Sequence, residues 1–358
     1  MEEALAAAVA DLDNLVLLGL AEFLGRESDW PGPDVDAGQV ADAVKVEARH
    51  RWVVGHWLSE LDRAGVRSRP SQRELRAARR ACAPALLRLG YGPALGDLLV
   101  NSLRLLPELL TGVVNVQTLL YPDGDVATTE VAYRTNAVSR NLNQLAASRA
   151  AETARRSGRA VRVLELGAGI GTTAADLLPA LGGTPAGIGE YRYTDLSSFF
   201  LHHGRERFGS APYLRFEVLD IDDIGPENIE QLQVSGLCDL DLVVAGTMAH
   251  NARDVDRLAA GLTGILAPGG RLILIEPVRE HAQSLTTMPF ALSTATGAPR
   301  RTDLRAGTTR TYLSAQEWTD VLTGAGFRVD PILPAPHDPL RAFSQALITA
   351  TNDQRRSQ

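Results

Sequence analysis

Lysine is nearly missing from this chain. Lys45 is the single one, and arginine carries the rest of the 36 basic residues. That usage follows base composition and says nothing about mechanism. The acids number 43, giving a formal net charge of −7. This balance excludes general nucleic-acid affinity, because neutralising phosphates needs a basic surface. Cysteine is scarce too: Cys82 and Cys238 stand far apart, with neither metal-ligand spacing nor a disulfide framework. Among the seven histidines the only close pair is His202-His203, which a helix points in different directions, so no structural metal is expected. Glu2 and Glu3 occupy the place where a signal peptide carries basic residues. No apolar run reads as long as the roughly 18 residues that a membrane span needs. The expectation is a cytoplasmic protein, monomer or homodimer, without nucleic-acid or membrane partners.

What is present divides into two patterns. A length of 358 residues suits two domains. Residues 1–150 show helical periodicity, as in Leu15, Leu17, Leu18, Leu20 and Phe23, or Val53, Trp57, Leu58 and Leu61. Breaks fall at Trp30-Pro-Gly-Pro, Arg69-Pro and Tyr121-Pro-Asp-Gly. From about 160, strands alternate with helices, which predicts a parallel sheet with crossover helices. Ser314 with Glu317 three residues on forms a capping box, and Ala342–Thr351 reads as a final strand. The domains expected are therefore a helical one, 1–150, and an α/β one, 151–358.

Val161-Arg-Val-Leu-Glu-Leu-Gly-Ala-Gly-Ile-Gly171 carries the most chemistry. An apolar strand runs into a G-x-G-x-G turn, and Thr172-Thr-Ala-Ala-Asp-Leu-Leu opens a helix. Gly167, Gly169 and Gly171 let the backbone approach a ligand that a Cβ would exclude. A dinucleotide fingerprint needs G-x-G-x-x-G. Here the glycines are one residue tighter, and the acid Glu165 precedes them. An acid there repels phosphate and suits a cationic cofactor, which fits S-adenosylmethionine (SAM). Asp195, beside Leu196, ends a second strand, where a carboxylate takes both ribose hydroxyls. Asp220 ends a third, placed for the adenine amino group, with Ile221 against the base. Residues 239–245 and 266–276 read as the fourth and fifth strands. Strand-terminal aspartates also cap helices, so the order of these features carries the argument rather than any one of them.

Residues 163–171, Tyr193-Thr-Asp-Leu-Ser197, Asp241-Leu-Val-Val-Ala245 and Ala267-Pro-Gly-Gly-Arg-Leu-Ile-Leu-Ile-Glu-Pro277 together resemble class I SAM-dependent methyltransferases. The likeness is to the methyltransferase domains of polyketide and nonribosomal peptide synthetases. It extends upstream through Tyr91-Gly-Pro-Ala-Leu, Leu105-Leu-Pro-Glu-Leu-Leu and Leu119-Leu-Tyr-Pro-Asp-Gly, and is loose before residue 91. The resemblance implies a Rossmann-like doubly wound α/β sheet, mostly parallel with its last strand antiparallel, and a helical N-terminal lid. It also implies a catalytic pair, His250 after the fourth strand and Glu276 ending the fifth, with Tyr133 as a lid tyrosine facing the methyl or the acceptor. The plain alternatives are a helix-capping His250, a Glu276 paired with Arg279, and a packed Tyr133.

The surroundings of His250, Thr247-Met-Ala-His-Asn-Ala252, depart from that family's usual pattern, so the acceptor atom stays open. The expected reaction is methyl transfer to an activated carbon of a polyketide- or peptide-like molecule, free or carrier-bound, with residues 281–311 completing the pocket. Transfer to a hydroxyl and a cyclase on the same fold are the alternatives; a nicotinamide-dependent oxidoreductase is disfavoured by the glycine spacing and Glu165. Arginines at 63, 67, 69, 73, 76, 79, 80 and 88 read as a solvated helix face before they read as a dock for an acidic carrier protein.

Overall fold

Apolar strands separated by helical segments fold, in the computed structural model, into a seven-stranded sheet. The structure describes residues 2–354 except 29, 31, 33, 125, 127–129, 131–135 and 210. The strands are β1 (Val161–Leu166), β2 (Ile188–Asp195), β3 (Leu214–Val218), β4 (Leu240–Gly246), β5 (Leu266–Pro277), β6 (Phe327–Val329) and β7 (Gln345–Asn352). Their order is β3-β2-β1-β4-β5-β7-β6. The first five pair in parallel, while β7 runs antiparallel to both β5 and β6. β1 and β4 are buried along almost their whole length, as helices on both faces of a parallel sheet require. The chain winds outward from β1 in one direction and from β4 in the other. A crevice therefore opens at the C-terminal ends of these two strands, where such sheets bind ligands.

The last strand begins at Gln345, three residues later than its sequence pattern suggests. Pro339–Phe343 forms a 3₁₀ turn, and Ser344 ends it in the left-handed conformation at φ 58°, so pairing with β5 starts only afterwards. Asp254 caps helix Val255–Ile265 by accepting from Arg257 N at 2.9 Å. Ser314 and Glu317 form the reciprocal capping box at the start of helix Ala315–Gly324. Both helices pack into one buried cluster with Leu166, Val243, Ala249, Leu274, Trp318 and Ile348. Each fully buried aliphatic side chain there contributes about 1.5–3 kcal/mol.

The chain divides into two compact units. One comprises residues 138–279, 301–304 and 311–358 and holds the sheet; the other comprises 1–137, 280–300 and 305–310 and is helical. In the helical unit, Glu3–Glu27 is long and apolar enough to cross a bilayer by length and composition alone, contrary to the expectation from its sequence. Its Leu12, Val16, Leu20 and Leu24 are fully buried, as in a core helix. Phe23 meets Trp57 edge-on with centroids 6.3 Å apart, and Trp57 Nε1 donates to Leu285 O at 2.8 Å. Residues 280–300 thus close the helical core from far along the chain.

Candidate active site

The turn after β1 is shaped by its neighbours. Gly167, Gly169 and Gly171 adopt φ of 55°, 56° and 76°, values that a side chain strains. A Cβ at Gly167 would run into Met248, and one at Gly171 into the Phe208 ring. At Gly169 a Cβ would meet nothing closer than Gly167 O at 4.0 Å, so this part of the turn is open. Tyr193 Oη donates to Gly169 O at 2.7 Å, which ties the turn to β2.

Glu165 lies beneath the turn with 1% exposure, accepting from Tyr191 Oη at 2.7 Å. Burial pushes its carboxyl up to about 8, against the bonds from Tyr191 and the Ala174 N–H, and the nearby Asp195 raises it further. At neutral pH Glu165 is therefore a protonated, hydrogen-bonded acid. The argument from a standing negative charge to a cationic cofactor does not carry over to this environment. What Glu165 provides is a fixed floor for the turn.

Asp195 ends β2, as its sequence position suggests. Its Oδ2 accepts from Gly169 N at 3.0 Å and its Oδ1 from Ser197 N at 2.8 Å. Burial raises its pKa, opposed by the backbone N–H groups of Ser197, Gly169 and Leu196. The lone-pair capacity that these donors leave is open to a hydroxyl. Beside it Leu196 is 62% exposed, and Val218, opposite Asp195 across β2 and β3, is 64% exposed. Exposed apolar side chains next to an acid with acceptor capacity to spare suit a nucleoside, so the residues present fit the SAM group.

β3 stops at Val218, two residues before Asp220. Asp220 turns its Oδ1 to Asp222 N at 2.9 Å and caps a 3₁₀ turn, because local backbone donors compete for a short acid. Ile221 packs into the apolar cluster, 5% exposed.

β4 and β5 bring the second constellation together. Thr247, at φ 56°, turns the chain out of β4, and its N–H donates to Ile275 O at 2.6 Å. This places Met248, Ala249 and His250 over the end of β5. Glu276, 0% exposed, accepts from Met248 N at 3.0 Å and Ala249 N at 2.7 Å through Oε1. Its Oε2 lies 2.6 Å from Nδ1 of His250, itself 1% exposed. A carboxylate on Nδ1 fixes which ring nitrogen carries the proton and holds the ring's orientation. Tyr312 packs edge-on against the imidazole with centroids 4.8 Å apart.

Sequence reasoning named His250, Glu276, Glu165, Asp195 and the glycines. It missed Tyr191, Met248, Val218 and Tyr312, whose partners are distant in sequence. For Tyr191 and Val218 the alternation within β2 and β3 is the one signal available. Tyr133 lies outside the described residues.

Residues 164–272 match the family model of a methyltransferase domain. The chain is 28% identical over 347 residues to pyochelin synthetase PchF of Pseudomonas aeruginosa (strain UCBPP-PA14), covering 91% of this chain and 18% of that protein. It is 30% identical over 304 residues to polyketide synthase ThaQ of Burkholderia thailandensis, covering 83% and 14% respectively. The chain thus spans less than a fifth of the length of these relatives. Among solved structures, the CurJ carbon methyltransferase superposes with a TM-score of 0.80 at 22% identity, over 96% of this chain and 92% of that one. The DszA carbon methyltransferase gives 0.76 at 24%, over 97% and 90%. The trans-methyltransferase CalH, solved with SAH, gives 0.60 at 18%, over 96% and 90%.

Fold, glycine turn and the match over residues 164–272 define the class: the chain carries a methyltransferase domain on a Rossmann-like sheet. Within that class, the chain is similar to the methyltransferase domains of polyketide and nonribosomal peptide synthetases.

Proposed function

We propose that the chain methylates an activated carbon of a polyketide- or peptide-like acceptor, presented as a thioester on a carrier. The observation that carries this reading is the 2.6 Å contact between His250 Nδ1 and Glu276 Oε2 at the ends of adjacent strands β4 and β5. SAM, when bound, supplies a methyl already activated on a positive sulfur. The protein's part is orientation, proton removal and exclusion of water. Nε2 of His250 takes the proton from the carbon next to the acceptor's carbonyl, and the resulting charge spreads onto the carbonyl oxygen. Glu276 holds the ring and stabilises the imidazolium that forms. Gly167, Gly169 and Gly171 admit the cofactor, Asp195 takes the ribose diol, and Leu196 meets the nucleoside, with Glu165, Asp220 and Ile221 supporting from beneath and beside. Tyr133 is assigned to the acceptor side, and residues 1–150 to substrate handling.

The test is His250→Ala. Calorimetry should show SAM affinity within about twofold of wild type, and a single-turnover assay should show a loss of roughly 10²–10⁴. Full turnover in this variant removes His250 from the mechanism. Product mass separates the alternatives: a gain of one methylene is transfer, an isomer is cyclisation, and fragmentation tells carbon from oxygen.

A further inference from the structure

A cavity of about 390 Å³ opens beyond the end of β5, floored by Val278, Ile332, Pro334 and Ala346 and rimmed by Arg279 and Arg341. Its place in the sheet follows from register. Ala346 lies directly opposite Glu276 in the antiparallel β5–β7 pair, and opposed residues in such a pair share a face. Val278, two residues past Glu276, falls on that face as well. The cavity therefore lies on the Glu276 side of the sheet, about 7 Å further along the strand. Ser314 and Ala315, on another wall, follow Tyr312, which packs on His250.

The charge at the rim sets this cavity apart. Arg279 donates from Nε to Ser344 Oγ, and Arg341 donates from Nη1 to Pro334 O at 3.2 Å. Both acceptors are neutral. Among the described residues neither guanidinium is paired with a carboxylate. Elsewhere in this unit Arg159, Arg162, Arg192 and Arg257 each sit on an acid, as the chain's net charge of −7 makes easy. Two unneutralised guanidiniums over an apolar floor suit a phosphate on an otherwise uncharged arm, since arginine binds phosphate through several charge-assisted bonds. The first residues of the ten-residue helix Ala315–Gly324 line the same space.

We infer that this cavity is a subsite for the phosphate of a 4′-phosphopantetheine arm, holding the arm so that its thioester reaches the His250–Glu276 pair. The inference rests on the reading that the acceptor is a thioester. Arg279 and Arg341 are then specificity residues for the phosphorylated arm.

Calorimetry with 4′-phosphopantetheine and with pantetheine tests it without turnover. Wild type should bind the phosphorylated arm at least about tenfold more tightly, the worth of one charge-assisted contact. An R279A/R341A double variant should bind the two alike, with SAM affinity unchanged. Should that variant fail to fold, Arg341→Gln, which gives up one bond to Pro334 O, should lose part of the preference. Equal binding of the two arms by wild type, or a preference that survives in the double variant, overturns the subsite.

Kinetics with an acyl-phosphopantetheine should show the double variant raising KM at unchanged kcat, while an acyl-pantetheine is indifferent to it. A phosphate preference without methylation of either thioester retains the subsite and rejects the carbon-methylation reading. Methylation of both arms with equal KM does the reverse. Acyl-carrier protein and acyl-coenzyme A, compared as acceptors, identify the arm's source.

Discussion

Glu165 and Glu276 stand at the ends of β1 and β5, on either side of β4, and both are buried to within 1% of complete. Their donors differ. Glu165 meets a tyrosine hydroxyl and one backbone N–H, and burial pushes it up to about 8. Glu276 meets two backbone N–H groups and an imidazole nitrogen, all within 3.0 Å. The difference teaches that the number and kind of N–H groups aimed at an acid decide its part, more than its depth. One glutamate shapes a turn; the other is proposed to steady a base.

The comparison breaks most readily at Glu276. Glu276→Ala leaves the Met248 and Ala249 N–H groups without their acceptor, at about 1–3 kcal/mol each. The expected result is a lower Tm and a loss of turnover of about 10²-fold or more, read by calorimetry and a single-turnover assay. Retention of both would make the two glutamates equivalent.

A smaller effect is expected at the turn itself. Gly167→Ala places a methyl in the left-handed region, at about 1–2 kcal/mol, and against Met248. SAM affinity should fall about tenfold, by titration calorimetry, with the sheet intact by circular dichroism.

Titration sharpens the contrast. Glu165 holds its proton more tightly folded than unfolded. Its contribution to stability is thus full below the ordinary 4.5 and declines as pH rises to about 8. Glu165→Gln should flatten that part of the stability–pH curve and leave SAM affinity near pH 7 within about twofold, since the amide resembles the protonated acid. A large loss of affinity would show that its charge is needed after all.

The helical unit offers the opposite sign. Burial, with Arg63 nearby, lowers His56 from 6.5 to about 4. Its contribution is complete above 6.5 and is lost as pH falls toward 4. Burial raises Glu60 and partly offsets this. His56→Phe should reduce the acid sensitivity of unfolding between these values in a pH series of melts.

Much of the site was legible where its signal was local. The glycine spacing, Asp195 at a strand end and the Ser314–Glu317 capping box each lie within a few residues, so spacing alone exposes them. His250 and Glu276 were legible through the resemblance and through the tendency of parallel strands to present their ends to one crevice. The Glu165–Tyr191 bond, Tyr312 on the imidazole and Met248 against Gly167 were not. They join residues 26 positions or more apart, and β-register is set by the whole sheet.

By itself, then, the order of strands, turns and caps determined an α/β sheet with a glycine turn after its first strand, because hydrophobic period and backbone sterics act over short range. The tertiary structure alone decided which buried acid keeps a proton and which aligns a histidine. It also decided which arginines stand around a cavity without an acid to meet them. Burial and hydrogen-bond partners are properties of neighbours in space, and the chain names those neighbours only once it has folded.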